Sequence, residues 1–285
     1  MNKRSYVIIL TMDEQWHLNS IGAAEAWETT TGDLGIIVAV LDTGIDQNNR
    51  DLSSKVVGEV NFSDSTTSDD LNGHGTHMAG TIAAIAPECR LMNVKVADDA
   101  GKCQASVVAR GIRLAVDNGA KVINMSLNVA SSSDLEEAVN YAWSKGALVV
   151  AAAGNDGNSA PTYPASYANC VAVAATDESD SLASFSNHGD WVDVAAPGDC
   201  IYSTWLDNQC EVKSGTSPAA ALVSGVAALV FSVVTDNTLD RSVNDKVRQA
   251  IENSCSPINA DGVGKGRVNA LEAVTQAASS SSVSS

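Results

Sequence analysis

Three short stretches hold residue types that together can attack a carbonyl carbon. In V-L-D-T-G-I-D (Val40 to Asp46), Asp42 closes a β-branched run and a turn follows at Gly44. In G-H-G-T-H-M-A-G (Gly73 to Gly80), small residues flank His74 at a predicted helix start, leaving its ring free to reach a neighbour. In S-G-T-S-P-A-A-A (Ser214 to Ala221), Ser217 opens a long small-residue helix, where free N–H groups and the positive dipole end favour a nucleophile. A serine needs a base to take its proton, and an imidazole needs a carboxylate to fix its tautomer. The fourth stretch, A-A-A-G-N-D-G (Ala151 to Gly157), places Asn155 between glycines after a buried strand, as a turn residue or as an amide donor to an oxyanion.

Each stretch alone is weak. D-T-G also serves in aspartic proteases or as a plain turn, and H-G-x-H can cap a helix or bind metal. The order Asp, His, Ser along the chain is specific, because other folds carry the same three groups in other orders. A second D-T-G or D-S-G, which an aspartic protease requires, does not occur.

The elements that must hold these residues alternate. Apolar runs at 36–41, 91–96, 122–125, 147–153 and 171–175 predict buried parallel strands. Between them, 74–86, 106–118 and 135–145 predict helices, the last with Ser133 and Asp134 as cap candidates and Gly146 as its stop. This pattern predicts an α/β fold in three layers, a central, mostly parallel sheet flanked by helices. Residues 1–20 read as an N-terminal extension, 21–277 as one catalytic domain, and 278–285 as a frayed Ser-rich tail.

The balance of 34 acids to 17 bases, net −17, excludes a basic nucleic-acid face and favours cations, calcium included. No apolar run is expected to span a membrane, and Val7 to Leu10 is too short for a signal-peptide core. Six cysteines, an even number with no C-x-x-C, favour disulfides over zinc, with buried thiols as the alternative.

The sequence resembles the subtilisin-like serine proteases (subtilases), in their thermitase-like branch, from about Trp27 to Ala273. The stretches A-V-N-Y-A-W-S-K-G (138–146), A-A-A-G-N-D-G-N-S-A-P-T-Y-P-A (151–165), W-V-D-V-A-A-P-G (191–198) and K-G-R-V-N-A (265–270) carry that likeness. It implies a serine endopeptidase with Asp42, His74 and Ser217 as triad and Asn155 in the oxyanion hole. Ser126, Leu127 and Asn128 with Ala152, Ala153 and Gly154 would line the main specificity pocket. Extended polypeptide substrates would pair with an edge near Lys102 to Ser106, with broad specificity favouring large apolar residues.

Several departures stand against the family pattern. The chain passes directly from Ile85 through Ala86-Pro87, without the loop that supplies the strongest calcium site, although Asp51 survives beside Asn49-Arg50. That site is expected to be missing. One calcium ion is instead expected in the acidic loop, on Asn61, Asp64, Asp69 and Asp70, where short oxygen spacing suits the ion; a solvated acidic turn is the alternative. Asn128 stands where glycine is usual, Pro218 where methionine is usual, and Ala221 where a proline is usual. The expected partners are polypeptides, with a propeptide or proteinaceous inhibitor in addition. The expected state is an extracellular monomer. Two rivals remain: a cytoplasmic form whose extension covers the site, and an inactive binding protein of the same shape.

Overall fold

The structure is a computed structural model and describes residues 15–234 and 243–282. Seven strands form one sheet: β1 (Ile37–Asp42), β2 (Val56–Asn61), β3 (Arg90–Lys95), β4 (Ala120–Met125), β5 (Leu148–Ala152), β6 (Cys170–Thr176) and β7 (Val194–Pro197). Their order is β2-β3-β1-β4-β5-β6-β7, and every pair is parallel. From β1 the chain crosses to β2 at one edge, comes back to β3 between the two, then passes to β4 on the other side of β1 and winds out to β7. The carboxyl end of β1 therefore opens on the crevice where ligands bind in such sheets, and Asp42 ends that strand.

Alternation along β1 explains the layers. Val38 and Val40 face one core with α3 (His74–Ile85), α6 (Thr216–Val233), α7 (Val243–Asn253) and α8 (Ala270–Ser282). Ala39 and Leu41 face the other with α4 (Ala105–Asp117) and α5 (Ser133–Ser144). The buried face of α4 reads Val108, Ala109, Ile112, Ala115, Val116, the spacing of an amphipathic helix. Helix α6 instead buries nearly every residue, and only alanine, glycine, serine and valine in quantity let it lie against β4, β5, β6 and α3 together. A two-stranded antiparallel hairpin, β8 (Ile201–Thr204) and β9 (Cys210–Lys213), leads from the sheet into α6. Two short helices, α1 (Trp16–Ser20) and α2 (Ala23–Ala26), bring the chain in.

The three-layer α/β expectation holds, and five details change. Ser132, not Ser133, caps α5, because its hydroxyl accepts from the Leu135 amide at 3.2 Å. Helix α8 continues to Ser282, so the serine-rich stretch from 278 is helical as far as described, and 283–285 lie outside the described residues. Of the predicted extension, Trp16–Ser20 form α1 with His17 and Leu18 buried and Gln15 at its N-cap; residues 1–14 lie outside the described residues. Helix α6 has the length and apolar character of a membrane span after all; its small residues are buried in the core. Finally, all six cysteines are free: Cys89, Cys103, Cys170, Cys200, Cys210 and Cys255. Cys170 lies within β6 and Cys89 beside Ser232 of α6, while Cys200 and Cys210 occupy opposite ends of the β8–β9 hairpin. An even count says nothing about spatial pairing.

Candidate active site

The predicted residues converge at the carboxyl ends of β1, β4 and β5 and at the N-termini of α3 and α6. Asp42 is almost wholly buried, and its Oδ1 accepts from the Thr43 amide and from His74 Nδ1, each at 2.7 Å. That contact puts the proton of a neutral His74 on Nδ1 and leaves Nε2 as the base. Burial works against a charged imidazole, but the charge and hydrogen bond of Asp42, with help from Asp70, outweigh it. His74 is held above its ordinary pKa.

Ser217 is the second residue of α6. Its hydroxyl donates to the Ser126 carbonyl at 3.2 Å, so its bond to His74 is not made in this conformation. Such bonds often tighten only when substrate arrives. Ser126 returns the contact, its hydroxyl donating to the Ser217 carbonyl at 2.9 Å. Behind it, Asn124 donates to Ser126 Oγ at 3.1 Å and accepts from Ser224 at 3.0 Å, a buried chain that ties β4 to α6. Pro218 sits in the first helical turn and α6 runs unbroken past it, since proline costs little where no N–H partner exists.

Asn155 is exposed to the cleft, and two donors fix its amide. The Thr216 amide and hydroxyl reach Oδ1 at 2.8 and 3.0 Å. The Nδ2 group lies 3.4 Å from the position a Cβ would take on Gly215, two residues before Ser217, whose own N–H belongs to the first turn of α6.

At the paired ends of β4 and β5, residues 126–128 and 152–154 run on side by side. Gly154 has a φ of +103°, and a Cβ there would fall 2.5 Å from Asn187 Nδ2 and 3.4 Å from Asn128 Nδ2. Asn187 donates to the Ala153 carbonyl at 3.0 Å and holds that segment in place. The Asn128 amide thus faces Gly154. On the edge, Ala97 and Cys103 bridge and α4 begins at Ala105, so Ser106 is helical and the free edge ends near Gln104.

The acidic loop does not fit calcium. Asp70 is buried and already accepts five donors: Thr43 Oγ1, the amides of Asn72, Gly73 and Thr76, and Thr76 Oγ1, at 2.7–2.9 Å. It caps α3 and so props His74. Asn61 is spent on Ser63 and Ser65, and Asp69 Oδ1 on the amides of Gln47 and Asp70. Asp64 is exposed. The loop already holds a cation, because the fully buried Lys95 ammonium donates to the Asp69 carbonyl at 2.9 Å. Among the described residues no three His, Cys, Asp or Glu side chains gather as a metal-holding group.

Sequence reasoning missed Thr43, Thr76, Lys95 and Thr216, which orient Asp42, His74 and Asn155 without touching the cleft. Thr43, Thr76 and Thr216 each lie inside one of the three motifs and so had a local signal; Lys95 had none.

Comparison with known proteins gives a consistent picture. The sequence model of the Subtilase family matches residues 33–277. Thermitase from Thermoactinomyces vulgaris is 46% identical over 274 residues, 91% of this chain and 95% of its own. Subtilisin BL from Lederbergia lenta is 40% identical over 276 residues, 92% of this chain and 98% of its own. A solved protease structure from Pseudoalteromonas arctica superposes with a TM-score of 0.85 at 29% identity, covering 93% of this chain and 97% of that one.

Proposed function

The chain belongs to the subtilase family and is a serine endopeptidase; on that premise we propose that it cleaves polypeptides through an acyl-enzyme on Ser217. Ser217 Oγ turns from the Ser126 carbonyl to His74 Nε2, loses its proton there and attacks the substrate carbonyl carbon. Asp42 keeps the imidazole in the right tautomer and stabilises its cation. The oxyanion is met by Asn155 Nδ2 and the Ser217 N–H, a reading supported by the two Thr216 donors that hold Asn155 Oδ1. His74 then passes the proton to the leaving amine, and water resolves the ester by the same steps in reverse roles. The observation that supports this most is the 2.7 Å contact of His74 Nδ1 with buried Asp42, which frees Nε2 toward the cleft.

Ser126, Leu127 and Asn128 facing Ala152, Ala153 and Gly154 take the side chain before the scissile bond. The walls are mainly apolar or glycine, which suits broad specificity with a preference for large apolar residues. A monomer working outside the cell, checked by a propeptide or proteinaceous inhibitor, completes the proposal. The free cysteines remove one argument for an oxidising compartment, so the extracellular placement rests on the family resemblance. A fluorophosphonate probe tests the core of this reading. Stoichiometric labelling of Ser217 with loss of peptidase activity is expected; an unlabelled, folded protein would mean a binding protein of the same shape.

A further inference from the structure

The β8–β9 hairpin ends in a cation just before α6, the helix that carries Ser217. Lys213 is the last residue of β9, four positions before Ser217. Its Nζ lies 4.3 Å from the centroid of the Trp205 ring, a cation–π distance. Trp205 in turn lies flat against the start of α3. A Cβ on Gly73 would come within 2.4 Å of the indole, so only glycine lets the ring close on the residue before His74, and the ring's other neighbour on α3 is the His77 imidazole, 6.3 Å away between centroids. Glu211 faces the ammonium at 3.4 Å, but both side chains are well exposed, and such a pair neutralises little. Across His74, Asp42 is engaged by the imidazole and Asp70 by its five donors. The Lys213 charge also works against protonation of His74, which places it within electrostatic reach of the reacting groups.

His74 hands its proton to the leaving amine, so the segment after the scissile bond must depart past His74. The segment before it occupies the walls at 126–128 and 152–154, on the other side of Ser217. A leaving segment that passes His74 on the side of Gly73 would cross the Trp205 indole and meet Lys213. On a chain of net charge −17, an anionic segment is repelled at long range, and a local cation becomes the deciding contact. We propose that Lys213, carried on Trp205, selects acidic side chains in the first two positions after the scissile bond and disfavours lysine and arginine there.

The inference rests on the proposed acyl-enzyme reading. Internally quenched peptides test it, identical before the bond and bearing Glu, Gln or Lys at each of the two positions after it. Ratios of kcat/KM taken within one protein cancel any general loss of activity. Wild type should favour Glu over Lys by about tenfold at low salt, a few-fold for attraction and a few-fold for repulsion, and the ratio should shrink in 0.5 M salt. Lys213→Glu should reverse the preference and Lys213→Gln should bring it close to one; should the Glu variant fail to fold, the Gln variant carries the test. An equal Glu-to-Lys ratio in wild type and either variant, or a wild-type preference for Lys, overturns the proposal. A protein that cleaves none of the peptides and takes no probe on Ser217 would instead refute the acyl-enzyme reading itself.

Discussion

The ammonium of Lys95 donates to the carbonyl of Thr43 at 2.6 Å, one residue past the Asp42 that meets His74. Its other donors reach the Asp69 carbonyl at 2.9 Å and Asp99 Oδ1 at 2.7 Å. One buried cation therefore joins the turn after β1, the acidic loop and the loop that leads to the substrate edge. Lys95→Met would leave two carbonyls in the interior without their donor. The expected loss is about 2–4 kcal/mol of folding stability, read by urea unfolding, with turnover falling as the Thr43 turn loosens. Lys95→Arg should recover part of both. A Met variant within about 0.5 kcal/mol of wild type, the range of an ordinary surface change, would show that the three contacts contribute nothing.

The triad substitutions follow from separate roles. Ser217→Ala and His74→Ala should each lower turnover by about a million-fold, and Asp42→Asn by somewhat less, because the imidazole would remain but in the wrong tautomer. More than a tenth of wild-type rate in Ser217→Ala would remove the nucleophile assignment.

How far these residues could be read from sequence depended on whether their signal was local. Asp42, His74, Ser217 and Asn155 each sit in a short motif at a strand end or helix start. Lys95 does not: its importance comes from register, as the parallel partner of Asp42 across β1 and β3. Asp70 looked like a calcium ligand because an acidic loop and a helix cap share the same residue types. Strand β2 escaped because it is a half-exposed edge with Gly58 at a register shift, and β8 and β9 because four residues carry no period. The cysteine parity gave the wrong answer, since pairing needs two side chains on facing elements.

Two pH effects should separate. Activity requires neutral His74, and its raised pKa puts the acid limb above the ordinary histidine value of about 6.5. Stability has a different source. His17 and His77 are buried, and desolvation lowers each pKa to about 4. His77 is fixed as a neutral ring, its Nε2 donating to the carbonyls of Ile201 and Glu211, both at 3.1 Å. The unfolded chain binds these two protons below about pH 6.5 while the folded chain refuses them until about pH 4. The contribution of these two groups should therefore be full above about pH 6.5 and fall by about 1.4 kcal/mol per pH unit for each group down to about pH 4. Unfolding at stepped pH measures it, and a flat profile from pH 7 to 4.5 would mean that neither histidine is held neutral.

Chelation should matter little. The acidic loop is closed by its own donors and by Lys95, so a calcium-dependent contribution of RT ln(1 + [L]/Kd) has no site there to act through. Excess chelator is expected to move Tm by no more than about 3 °C, the shift of a ΔΔG below 1 kcal/mol in a domain of this size. A drop of tens of degrees would require a tightly held ion elsewhere in the protein.

Oxidation should spare the active site. The family resemblance puts methionine directly after the nucleophile, where peroxide would turn a soft apolar side chain into a bulky polar sulfoxide against the oxyanion donors. Here Pro218 fills that place, is buried, and has no sulfur to oxidise. Its ring lies 3.7 Å from the position a Cβ would take on Gly215, close against the backbone that turns into α6. The described methionines are also sheltered. Met78, one turn beyond His74 on α3, and Met125, just before Ser126, are fully buried, and Met92 nearly so. Sulfoxide formation follows exposure, so none of them should react before unfolding. Activity is expected to persist at peroxide levels that inactivate a Pro218→Met variant, which should itself begin active, since methionine is a good helix former in a first turn that tolerates either residue. The measurement is residual activity against time in peroxide for both proteins, with peptide mass mapping of the added oxygen. If wild type decays as fast as the variant and the oxygen maps to Met78 or Met125, then burial does not protect those sulfurs and Pro218 confers no resistance.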